Sequence, residues 1–184
     1  MDIINKAKKF AKLKHGNDKR KFTNELYYTH PFAVVERLKT FNKYKNNETM
    51  LAAAYLHDTL EDTETTYDEL KHIFNKEIAN LVLELTSNKE EYTNKQNKTN
   101  HSIKAQYLTK KINNMSKNAR IIKLADREHN VSSISGAPSS FVKGYTKETK
   151  YILENLKFEP DPEENQIINS IWKKIRPYLT SANN

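Results

Sequence analysis

The chain has 184 residues, with 31 Lys and Arg against 23 Asp and Glu for a formal charge of +8. That length suits a single domain over residues 1–184 with a core of its own. The absence of cysteine excludes disulfides and thiolate zinc sites, and 3 glycines with 5 prolines leave little material for a turn-rich β fold.

Apolar residues recur at three- and four-residue spacing almost throughout. Ile3, Ile4, Ala7, Phe10 and Ala11 predict a first helix, and the polar stretch 15–28 reads as a loop. Pro31 suits the first turn of a second helix running through Val34, Val35 and Leu38. Asn46 and Asn47 offer caps for a third, whose end carries His57 and Asp58. Thr66 and Glu69 have capping-box spacing and predict a short helix ending near Asn75, followed by another over 78–85. Residues 87–99 are almost wholly polar, and a mobile loop is expected there. Helices follow over 99–113, 116–134, 140–157 and 162–178, broken at 135–139 and at 159–162. No alternating strand pattern of useful length and no internal repeat is present, so the fold class is all-α, a helical bundle.

The chemistry concentrates at a few charged residues in apolar settings. His57 and Asp58 follow the apolar run 51–56, where a charge costs free energy unless something compensates it. A divalent cation does so by neutralising the carboxylate and taking the imidazole lone pair. His57 to Glu61 and Asp58 to Asp62 are four-residue steps, so one further helical turn puts each pair on one face. Glu61 and Asp62 would then face the water or substrate beside the ion, where a carboxylate orients water or takes its proton. Asp126 likewise ends an apolar segment, 121–125, and Asn130 four residues on suits a hydrogen bond to a base or ribose. His30, just before Pro31, is placed to complete the ion's shell. Singly, each has a blander reading: His30 as a helix-start residue, Asp126 as a solvated or ion-paired one. Jointly they point to a metal-dependent hydrolase, and two imidazoles with two carboxylates suit Mn²⁺ or Fe²⁺.

Three segments carry a family resemblance: Tyr27-Tyr28-Thr29-His30-Pro31, then Ala53 to Thr63 with His57-Asp58 and Glu61-Asp62, then Lys123-Leu124-Ala125-Asp126-Arg127-Glu128-His129-Asn130. Glu84-Leu85-Thr86 adds a shorter match. Over about residues 1–157 the chain resembles the hydrolase domain of the RelA/SpoT homologues, within the HD superfamily of metal-dependent phosphohydrolases. The resemblance implies removal of the 3′-pyrophosphate from ppGpp and pppGpp with Mn²⁺, and a small alarmone hydrolase without the synthetase and regulatory domains of long relatives. It implies His30, His57, Asp58 and Asp126 as metal ligands and Glu61 and Asp62 as the pair handling the attacking water. It further implies Arg20, Lys21 and Asn130 as substrate contacts, with Lys123 or Arg127 offsetting substrate charge. The chain departs from the family between Lys21 and His30, where the usual Gly and Pro are missing, and at Glu128-His129.

Other readings remain open. The altered loop leaves adenine alarmones, or a phosphorylated nucleotide such as NADPH, as substrates of the same site. A nucleotide sensor or a basic nucleic-acid-binding bundle belongs to a different class; the intact acidic and ligand sets speak against the first, and no reading motif supports the second. The positive charge fits a polyanionic partner and equally fits AT-rich codon usage, and the oligomeric state is not readable. Residues 1–6 lack the apolar core of a signal peptide, and no run approaches the ~20 apolar residues of a membrane helix, so a cytoplasmic protein without membrane contact is expected. His15 is a candidate for a structural role in the pocket, His129 for packing or surface, and His72 and His101 for the helix surface. The last helix, with Trp172 and Ile175, is expected to close the core.

Overall fold

A computed structural model of the chain describes residues 2–93 and 99–180. In chain order its helices are α1 Ile3–His15, α2 Thr29–Lys39, α3 Glu48–Leu56, α4 Thr59–Asp62, α5 Tyr67–Ile73, α6 Lys76–Leu85, α7 His101–Asn114, α8 Lys117–Ser132, α9 Ser139–Glu154 and α10 Pro162–Thr180. The described residues contain no strand longer than an isolated bridge, so the all-α expectation holds. No helix among them is long and apolar enough to cross a membrane. The chain divides into two compact units, one of Met1–Ser87 with Lys117–Asp126, the other of Asn88–Ser116 with Arg127–Asn184.

In the first unit α3 is the centre, with α1, α2 and α6 packed around it. Its residues from Met50 to Leu56 are all buried, which explains why it is apolar on every side rather than on one stripe. Short polar side chains fix where the helices begin. Asn47 Oδ1 accepts from the Met50 N–H (3.0 Å), Thr66 Oγ1 from Glu69 (3.2 Å) and Asn75 Oδ1 from Ile78 (2.8 Å). The stretch expected as a loop over 15–28 is not featureless: α1 runs on to His15, and Lys19 pairs with Leu26 in an isolated antiparallel bridge. Gly16, at φ +50°, turns the chain out of α1 while its N–H donates to the Lys12 carbonyl.

In the second unit α9 packs against α7 and α10. Asp161 and Glu164 cap α10 reciprocally, the Glu164 N–H donating to Asp161 Oδ1 (2.8 Å) and the Asp161 N–H to Glu164 Oε2 (2.9 Å). Ile175 is buried and Trp172 half-buried on that helix, as expected of a closing element. Within the polar stretch 87–99, Lys89–Glu91 form a 3₁₀ turn and Thr93 bridges Thr99; residues 94–98 of the expected loop lie outside the described residues.

A buried ionic cluster crosses this unit, and it corrects one expectation. Arg127 donates from NH1 to Glu148 Oε1 (2.8 Å), and its guanidinium stacks 4.7 Å from the Tyr145 ring centre. His101 Nδ1 lies 2.7 Å from Glu148 Oε2, so His101 is a partner of a fully buried carboxylate and not an ordinary surface residue. Arg127, one of the two cations expected to offset substrate charge, is buried and paired with Glu148 inside the second unit. Gly144 makes room for the imidazole, since a Cβ there would meet His101 Cδ2 at 2.6 Å.

Burial raises the pKa of Glu148, but the Arg127 charge and the His101 hydrogen bond outweigh it and hold the group at about 2. A depressed folded-state value means the cluster's stability is complete above the ordinary carboxyl value of 4.5 and is lost as pH falls toward 2. Glu148→Gln, which leaves Arg127 buried without its carboxylate, is expected to cost about 3–5 kcal/mol in urea unfolding at neutral pH. The same titration series should show a flatter acid limb in the variant than in the wild type between these two pH values; equal slopes would refute the assignment.

Candidate metal centre

The His57-Asp58 doublet sits at a break rather than inside a helix. α3 stops at Leu56, yet His57 (φ −56°, ψ −30°) and Asp58 (φ −96°, ψ −6°) keep nearly helical dihedrals and lead directly into α4. Thr59 Oγ1 donates to the Leu56 carbonyl (2.7 Å), and the Asp58 carbonyl accepts from the N–H groups of Glu61 and Asp62. The turn expected from the four-residue spacing is therefore made, though not as one continuous helix.

Its consequences differ for the two pairs. Asp58 and Asp62 are brought together, because Oδ2 of each lies 2.9 Å from the Tyr27 hydroxyl. Glu61 reaches Ser87, whose backbone N–H donates to Oε2 (2.8 Å).

His30, the second residue of α2, is fully buried and aims Nε2 between two carboxylates, 3.1 Å from Asp126 Oδ1 and 3.6 Å from Asp58 Oδ2. His30, His57 and Asp58 each offer one ligand atom within 4.8 Å of the others, a spacing that can hold a metal ion. Asp126 stands beside this group, its Oδ1 also 4.0 Å from His57 Nε2. All four residues belong to the first unit.

The protonation chemistry of His57 tests whether an ion fits. Nδ1 lies 2.8 Å from the Ala54 carbonyl, so it carries the hydrogen and donates. Nε2 is buried and makes no hydrogen bond among the described residues, with Asp58 Oδ1 3.2 Å away as an ion-pair partner. Burial pulls the imidazole pKa down, and the Asp58 charge overrides it to lift the group to about 9. For Asp58, burial works upward and the His57 charge holds the carboxyl below its usual range. Asp126 is held low against burial by Lys123, whose Nζ lies 3.0 Å from Asp126 Oδ2. A site that pulls a proton onto an anchored imidazole nitrogen pulls a cation there for the same reason. Two buried imidazoles and two buried carboxylates thus fit a borderline divalent ion.

One residue of this centre escaped the sequence argument. Tyr27 was visible only inside a motif, yet its phenol bridges Asp58 and Asp62, and its ring packs at a tilt against His15 with centres 4.7 Å apart. Burial and both carboxylates push its ionisation far up, so it serves as a donor. His15 is buried as expected, with Nε2 unpartnered among the described residues and its pKa lowered by that burial. Lys123 lies three residues before Asp126 on α8, a face-sharing step that could have placed it beside the site.

The expected substrate contacts are more scattered. Arg20 and Lys21 lie in the bridge-closed turn after α1, where the Arg20 N–H donates to the Glu25 carbonyl (2.8 Å) and Lys21 Nζ sits 5.5 Å from the Phe22 ring centre. Asn130 follows Asp126 by four residues on α8 but belongs to the second unit, as do Glu128, buried against Lys174 (3.1 Å), and His129.

Comparison with known proteins places this arrangement. The HD domain model matches residues 7–157, a span containing all of the centre. A guanosine-3′,5′-bis(diphosphate) 3′-pyrophosphohydrolase of Spiroplasma citri is 41% identical over 98% of this chain and 25% of its own length. The protein of that name from Aquifex aeolicus is 39% identical over 83% of this chain and 21% of its own length. The chain therefore spans about a quarter of the length of the curated relatives it matches. Among solved structures, a metazoan SpoT ortholog that hydrolyses ppGpp has the same fold, with a TM-score of 0.76, 22% identity and coverage of 95% of this chain and 96% of its own. A Listeria monocytogenes protein superposes with a TM-score of 0.63 at 24% identity, covering 85% of this chain and 99% of its own. With the family model spanning most of its residues and the His-Asp doublet at the heart of the helical fold, the chain belongs to the HD domain family.

Proposed function

We propose that the chain hydrolyses the 3′-pyrophosphate of ppGpp and pppGpp, releasing pyrophosphate and GDP or GTP, with Mn²⁺ as its ion. The observation that carries this reading is the convergence of His30, His57 and Asp58 around an anchored imidazole whose Nε2 makes no hydrogen bond among the described residues. The substrate follows from the relatives, which are named for this reaction. His30, His57, Asp58 and Asp126 are the ligands in this reading. Bound there, the ion supplies Lewis acidity toward phosphoryl oxygens and makes water more acidic.

The chain's own side chains account for the rest. Asp62 is exposed where Asp58 is buried, so it can meet water and take its proton. The Tyr27 hydroxyl fixes the direction of the Asp62 carboxylate at 2.9 Å. Glu61, held by the Ser87 N–H, has its pKa raised by burial against the opposing Lys123 charge, which suits a group that steers water. Water attacks the phosphorus bonded to the 3′ oxygen, that P–O bond breaks, and the departing oxygen leaves as the nucleotide's 3′-hydroxyl. Arg20 and Lys21 offset the substrate's charge, and Asn130 contacts the nucleoside.

Metal-stripped protein incubated with ppGpp should release pyrophosphate and GDP only when Mn²⁺ is added. Turnover of ppApp or NADPH in preference to ppGpp would overturn the guanine assignment while leaving the metal hydrolase intact. Asp62→Asn should lower kcat by about 10²–10⁴-fold and preserve the thermal shift produced by Mn²⁺. Normal turnover in that variant would remove Asp62 from the reaction.

A further inference from the structure

Lys123 is an ammonium placed where solvent does not explain it. Its side chain is 11% exposed, and Nζ lies 3.0 Å from Asp126 Oδ2, the oxygen of Asp126 that does not face His30. The charges of Glu61 and Asp58 act on the same ammonium. Of the carboxylates whose charge it feels, Asp58 and Asp126 are buried and Glu61 is half-buried, while Asp62 remains exposed.

Resting on the reading of His30, His57, Asp58 and Asp126 as a metal site, we propose that Lys123 is a built-in second cation. It sits on the Asp126 oxygen that faces away from His30, where a second cation would otherwise be drawn, and so it limits the centre to one ion. The charge count supports this. Three carboxylates carry three negative charges, which one divalent ion and one ammonium balance. Two divalent ions beside the same ammonium would overshoot and would have to displace it from Asp126. Removal of the ammonium leaves the buried Asp126 Oδ2 without its cation, and a second hard cation relieves that charge. Two-metal phosphohydrolases hold their ions about 3.5–4 Å apart on shared carboxylates, and Asp126, with one oxygen toward the imidazoles and the other on Lys123, has the form of such a bridge.

The test counts ions on the full chain without substrate. Metal-stripped wild type, Lys123→Met and Lys123→Arg are equilibrated with Mn²⁺ by dialysis, and bound Mn²⁺ per chain is measured together with its EPR spectrum. One ion is expected in the wild type and in Lys123→Arg, with the signal of an isolated Mn²⁺. Two are expected in Lys123→Met, with the broadened signal of a coupled pair. A count of one in Lys123→Met, or of two in the wild type, overturns the proposal. If circular dichroism shows Lys123→Met unfolded, Lys123→Gln carries the same count, since it keeps a hydrogen-bond donor near Asp126 and lacks the charge. Because no turnover is read, failure of this inference and failure of the alarmone reading register in separate measurements.

Discussion

Everything at the centre depends on burying charge at the end of an apolar helix. α3 is enclosed on all sides, so the two residues that follow it, His57 and Asp58, are drawn almost wholly out of bulk water. Isolated, either would be costly there. The surrounding structure reduces that cost by converging opposite or complementary groups from distant segments: His30 from α2, Asp126 and Lys123 from α8, and the Tyr27 phenol from the turn before α2. None of these interactions is optional once the doublet is buried. The site is therefore a consequence of the core as much as an addition to it, and the ion is the one member of the set that the chain does not itself provide.

Most of the fold was legible because its signals are local. Helix starts follow from Asn47, Thr66 and Asn75, whose side chains accept from a backbone N–H three residues on. The apolar runs before His57 and before Asp126 announced that both would be buried. What stayed hidden is non-local or depends on direction. Nothing in the sequence says that the Tyr27 hydroxyl meets Asp58 and Asp62, residues 31 and 35 positions away. Nor does spacing tell that Glu61 turns to the Ser87 backbone while Asp62, its neighbour, turns to Tyr27. The bridge between Lys19 and Leu26 was invisible because it needs no alternating pattern, only one pair of residues and a turn.

Helix α8 shows why adjacent charges cannot be assigned by motif alone. Asp126 and Arg127 are neighbours in sequence, but successive residues on a helix point about 100° apart. Asp126 is read with Lys123 and His30 in the first unit, whereas Arg127 is held by Glu148, Thr149 and the Tyr145 ring in the second. A charged pair that looks like one functional block thus divides into a carboxylate of the candidate metal centre and a cation of a structural cluster. Lys123, three residues earlier, shares the face of Asp126 and balances that carboxylate, where its place in the motif suggested only an offset to substrate charge. The direction of a side chain, set by helical rotation, decides whether a buried charge does chemistry or holds the fold.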